Sequence, residues 1–104
     1  MTQGGGGGLP FQLVASEPFD REEVAAPAKY VLRFSQPVRP DKSSIHIFDM
    51  FGSRVNDDTI TSDGLSLTAQ LPALPPGKYT VKWQTRCRCT GDVELAETFH
   101  FTVK

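Results

Sequence analysis

The chain is 104 residues long, enough for one hydrophobic core and too short for two. Eleven Lys+Arg against twelve Asp+Glu leave a formal charge of -1 with no basic block, which excludes a nucleic-acid backbone as partner. No apolar run approaches the roughly 20 residues of a membrane-crossing helix, while seven Phe, two Tyr and one Trp supply the bulk for a compact core.

Met1-Thr2-Gln3 and the glycines at 4–8 have neither the charged start nor the apolar centre of a secretory signal, and a glycine run has no reason to order. Residues 1–9 are expected to be a disordered Gly-rich linker or an appended cloning segment, with a single domain over 10–104. The first apolar run is Phe11-Gln12-Leu13-Val14-Ala15. Ser16-Glu17-Pro18-Phe19-Asp20 and Ala25-Ala26-Pro27 are turn-rich, and Asp20 to Val24 between them has the composition of a helical turn.

Lys29-Tyr30-Val31-Leu32-Arg33-Phe34-Ser35 alternates, with Tyr30, Leu32 and Phe34 on one face: the period-two signature of a half-buried strand. Ser44-Ile45-His46-Ile47-Phe48-Asp49 repeats it, followed by a turn through Met50-Phe51-Gly52 and an extended piece to Val55; another strand is placed from Ile60. Leu65-Ser66-Leu67-Thr68-Ala69-Gln70-Leu71 alternates and is stopped by Pro72, Pro75 and Pro76. Lys78-Tyr79-Thr80-Val81-Lys82-Trp83 and Thr98-Phe99-His100-Phe101-Thr102-Val103 read as central strands. About seven short strands at this spacing predict an all-β, immunoglobulin-like Greek-key sandwich, closed to barrel-like, with Tyr30, Phe34, Trp83 and Phe101 in its core.

Three segments together resemble one family: Leu13-Val14-Ala15-Ser16-Glu17-Pro18, Leu32-Arg33-Phe34-Ser35-Gln36-Pro37-Val38, and Leu71-Pro72-Ala73-Leu74-Pro75-Pro76-Gly77-Lys78-Tyr79-Thr80-Val81-Lys82-Trp83, with Phe101-Thr102-Val103 closing the pattern. In order and spacing they are similar to the CopC-type copper-resistance domains. The resemblance implies a periplasmic or secreted copper carrier, copper as its ion, and a membrane copper transporter as possible partner. It also implies a Cu(II) site built from an amino-terminal His and a late Asp-x-His, plus a Met-rich loop for Cu(I). Here the first His falls near Pro10, which has no imidazole; of the late pair only Asp92 has a counterpart; and the thioether loop keeps only Met50.

In the loop where the late His belongs stand Cys87 and Cys89, the chain's only cysteines. One reading makes them a replacement metal site, since paired thiolates favour Cu(I) or Zn(II), and Arg86 and Arg88 lower thiol pKa values. If the Trp83 strand continues, residues 83, 85, 87 and 89 share one face and both sulfurs point the same way. The other reading makes them core fillers or a disulfide, the latter needing a turn at Arg88. His46 and His100 alternate with apolar neighbours and are expected on the surface. No catalytic motif occurs: Gly77-Lys78-Tyr79 lacks the rest of a P-loop, and Glu22-Glu23 and Asp57-Asp58 read as solvated surface. The chain is therefore read as non-enzymatic, either a copper domain with an altered site or a non-metal immunoglobulin-like interaction module.

Overall fold

The computed structural model describes residues 11–89 and 93–104. Eight strands run β1 (Leu13–Glu17), β2 (Glu22–Val24), β3 (Lys29–Phe34), β4 (Ser44–Phe48), β5 (Ile60–Thr61), β6 (Ser66–Gln70), β7 (Gly77–Arg86) and β8 (Glu94–Val103), with one 3-10 turn at Pro40–Lys42. One sheet is ordered β1-β3-β6-β5 and the other β2-β8-β7-β4. The expected all-β sandwich is formed. No strand belongs to both sheets, so the barrel-like closure is not.

The period-two pattern sets the register of each sheet. In the first, Tyr30 lies opposite Ala69 and Leu32 opposite Leu67, so all four face inward together. In the second, Ile45 pairs with Trp83, Ile47 with Val81, and Tyr79 with Phe101. A one-residue slip would turn every one of these side chains to water, which is why the pattern specifies the pairing so strongly. Tyr30, Phe34, Trp83 and Phe101 are all buried, as expected.

Aromatic contacts tie the layers together. The Phe101 ring stacks on Tyr79 at 5.3 Å between centroids and on Tyr30, from the opposite sheet, at 6.0 Å. Phe34 meets Trp83 edge-on at 5.6 Å across the interior, and Trp83 meets Phe99 at 5.7 Å. Each such pair contributes about 0.5–1.5 kcal/mol beyond the burial of its area.

The helical turn expected over Asp20 to Val24 is corrected. Glu22–Val24 form a short strand, parallel to β8, with Glu22 opposite Phe101 and Val24 opposite Val103. The reason is tertiary. The Asp20 carboxylate accepts the His100 amide at 2.8 Å, Arg21 turns the chain at φ 68°, and its amide reaches the His100 carbonyl at 2.6 Å. Extended backbone then satisfies the edge of β8 and lets Val24 pack on the core, which a helical turn between two prolines could not do.

The free edge of β4 is closed by a side chain. Asn56, buried beside it, accepts the Ile47 amide at 2.9 Å through Oδ1 and donates Nδ2 to the Ile45 carbonyl at 2.8 Å. The Val55 amide takes the Ile47 carbonyl at 2.8 Å, so residues 55 and 56 together act as a partial neighbouring strand.

Candidate metal-handling site

β7 carries the chain toward the sequence-predicted site and stops short of it. Its regular pairing ends at Arg86 opposite Glu94, whose side chains also meet, Nη2 to Oε1 at 3.2 Å. Cys87 then makes an isolated bridge to Val38, its amide donates to the Val93 carbonyl at 2.8 Å, and the Arg88 amide donates to the Pro37 carbonyl at 2.8 Å. The bend at Arg88 and Cys89 follows from that switch of partners.

The bend decides how the sulfurs lie. Cys87 and Cys89 form a disulfide, with Cα atoms 5.1 Å apart. The continuous strand that would have set both sulfurs along one face is thus corrected, and the turn that oxidation demands is present. The two sulfurs are brought together all the same. Cys87 is fully buried and Cys89 half-buried, so the bond has one interior end and one nearer the solvent.

Polar anchors surround this end of the sandwich. Arg39 donates Nε to the Cys87 carbonyl at 3.4 Å, and its amide takes the Arg86 carbonyl at 3.0 Å. Just inside, Thr85 is fully buried, and its hydroxyl meets that of Ser43 at 2.7 Å.

Histidines and the methionine lie elsewhere. His46 sits opposite Lys82 and His100 opposite Thr80, on two strands separated by β7 and two residues apart along it. Strand spacing and rise put their backbones about 12 Å apart, and among the described residues no further donors gather with them into a cluster. The His46 Nε2 lies 3.8 Å from Asp58, whose carboxylate is already held at 2.9 Å by Arg54. The His100 Nδ1 meets the Thr80 hydroxyl at 3.3 Å. Both imidazoles are thus outward, as expected. Met50 is largely exposed beyond β4, its terminal methyl lying over Gly77. Pro10 and Asp92 lie outside the described residues. Among the described residues no three His, Cys, Asp or Glu side chains converge as a metal cluster.

Three groups have displaced protonation. Burial above all pushes the Tyr30 hydroxyl far up; it faces Ser16 without a partner at good hydrogen-bonding geometry, and Asp20 adds to the rise. Burial also raises Tyr79, whose hydroxyl donates to the Pro75 carbonyl at 2.6 Å, and Asp49 reinforces the shift. Asp63 is held low, first by the Ser66 hydroxyl at 2.8 Å and then by the Leu65 amide at 3.1 Å. None lies in the Cys87 segment, so these shifts serve the fold.

A family model, the CopC domain, matches residues 13–104, all but the first strand's approach and the Gly-rich start. The chain belongs to the CopC family. Among solved structures it is similar to CopC from Methylosinus trichosporium OB3b, at 30% identity and a TM-score of 0.81, covering 91% of this chain and 94% of that one. It is also similar to PcoC, a methionine-rich copper resistance protein from Escherichia coli, at 26% identity and a TM-score of 0.74, covering 90% and 98%. No curated protein sequence matches. This CopC domain therefore keeps the scaffold. Its sequence holds two methionines in all, one of them Met1, against a relative described as methionine-rich. No helix among the described residues is long and apolar enough to cross a membrane.

Proposed function

We propose that this domain carries copper, as the CopC scaffold implies, and that it does so with Cys87 and Cys89 in their reduced state. The observation that carries the reading is the meeting of the two sulfurs at the end of β7. When the bond between them is opened, two soft donors remain within reach of a single ion, and soft donors select Cu(I) over harder ions. Zinc is a poorer fit, because a structural zinc site takes four ligands and this segment offers two. The nearby guanidinium of Arg39 and the charges of Arg86 and Arg88 favour the thiolate form that binding needs.

The remaining parts of the reading follow the family. Residues 10–104 are the working domain and 1–9 a linker; the protein acts in the periplasm or outside the cell, performs no catalysis, and passes its ion to a membrane copper transporter. Cu(II) is the weaker cargo, since Pro10 stands where the family's first imidazole belongs.

Copper loading tests this. Protein kept reduced is mixed with Cu(I) or Cu(II), desalted, and its copper measured per chain. Retention of Cu(I) by the reduced protein, little Cu(II), and loss of Cu(I) in Cys87→Ser/Cys89→Ser is the expected result. Retention unchanged by the double substitution would remove the cysteines from the mechanism. A second reading, a sandwich serving only as an interaction module, is favoured by the lack of a three-donor cluster among the described residues. It predicts that neither ion stays bound.

A further inference from the structure

We propose that the Cys87–Cys89 disulfide is a thiol–disulfide exchange site, opened by a protein dithiol that attacks Sγ of Cys89. The bond spans a sequence separation of two, enclosing Arg88 alone. A cross-link stabilises a fold chiefly by shrinking the unfolded ensemble, and that effect is smallest for the shortest loops. As a structural staple the bond does little.

The segment is also held without it. The Cys87 amide is bonded to the Val93 carbonyl and the Arg88 amide to the Pro37 carbonyl, both at 2.8 Å, and Arg39 grips the Cys87 carbonyl at 3.4 Å. Cutting the S–S bond therefore leaves the bend in place, with both sulfurs still near each other. A cross-link that contributes little to the fold and whose surroundings survive its loss is suited to being broken and remade.

Exposure sets the direction of attack. Cys87 is 0% exposed, so an incoming thiolate cannot reach its sulfur from solvent, whereas Cys89 is only half-buried. The incoming sulfur bonds to Sγ of Cys89 as the Cys87–Cys89 bond breaks, and the electron pair leaves on Sγ of Cys87. A guanidinium bonded to the carbonyl of the same residue favours that leaving thiolate, which then takes up a proton. The partner's second thiol next attacks the partner's own sulfur in the mixed disulfide and releases Cys89 as thiolate, which is protonated in turn. Two electrons and two protons pass from the dithiol to this chain, and the partner leaves as a disulfide.

No metal enters this step, so its failure is separable from failure of the copper reading, which is tested on protein already reduced. Native oxidised protein is treated with dithiothreitol as the probe, quenched with iodoacetamide and weighed. Cys89 is expected to be alkylated without denaturant and with unchanged far-ultraviolet dichroism, and the buried Cys87 thiol only in a second alkylation after the quenched protein is unfolded. In the single variants, oxidised glutathione should modify Cys89 in Cys87→Ser at least about ten-fold faster than Cys87 in Cys89→Ser, because thiol reactivity follows access. Alkylation of Cys89 only in denaturant, equal rates in the two variants, or loss of the sheet signal on reduction would each overturn the proposal.

Discussion

Replacing Asn56 by Ala tests whether one side chain completes the β4 edge. The amide makes two bonds to that edge, at 2.9 Å from the Ile47 amide and 2.8 Å to the Ile45 carbonyl, in a residue only 7% exposed. Its Oδ1 also accepts Arg54 Nε at 3.0 Å. Truncation leaves a backbone donor and a backbone acceptor without partners, each worth about 1–3 kcal/mol when buried. Water reaching an edge strand offsets part of this, so the expected loss is about 2–4 kcal/mol, or about 10–20 °C in Tm for a domain of this size. Asn56→Asp should fall between wild type and Ala, since it keeps the acceptor for Ile47 and faces Arg54 but has no donor for Ile45. The assays are thermal denaturation by circular dichroism and hydrogen exchange at the Ile47 amide. A Tm for Asn56→Ala close to wild type, with Ile47 exchange unchanged, would refute the argument.

Two further predictions concern backbone and protonation. Gly77 has φ 151°, and a Cβ built there would lie 2.6 Å from the Met50 terminal methyl. That methyl ends a flexible chain and can swing away, so Gly77→Ala should cost about 1–3 kcal/mol through backbone strain alone; full recovery in Gly77→Ala/Met50→Ala would show the contact to be the cause instead. Tyr30 and Tyr79 have raised folded-state pKa values, so the folded state holds protons that the unfolded state releases above about pH 10. Stability from Tyr30 is thus complete below that pH and falls above it, by about 1.4 kcal/mol per pH unit. Denaturant unfolding followed from neutral pH into the alkaline range should show this decline; tyrosinate absorbance rising before the fold is lost would contradict it.

The strands were legible because their alternation is dictated by a core on one side and water on the other: Tyr30-Leu32-Phe34 and Tyr79-Val81-Trp83 permit only one register that buries them. Two features escaped, and a third stayed open between two readings, because their causes are non-local. The strand at Glu22–Val24 exists only because Phe101 to Val103 offer an unpaired edge to it. Asn56 looks like any turn residue until the edge of β4 is placed beside it. At the cysteines, the sequence allowed a strand with parallel sulfurs or a bend with a bond; the bridge of Cys87 to Val38, some fifty residues earlier, selects the bend. The pair of sulfurs at residues 87 and 89 was readable by type and spacing. Their oxidation was one of the readings the sequence left open, and the fold selects it.

The placement of β8 has a consequence for how the protein is made. Phe101 and Val103 lie in the core, and the same residues dock β2, so the second sheet lacks two of its four members until the last residues of the strand are available. A nascent chain with residue 98 at the ribosome exit can assemble the first sheet but leaves Tyr30 and Tyr79 unsealed by the ring that stacks on both. Completion of the fold therefore waits until residues 99–103 are free to pair with β7 and β2.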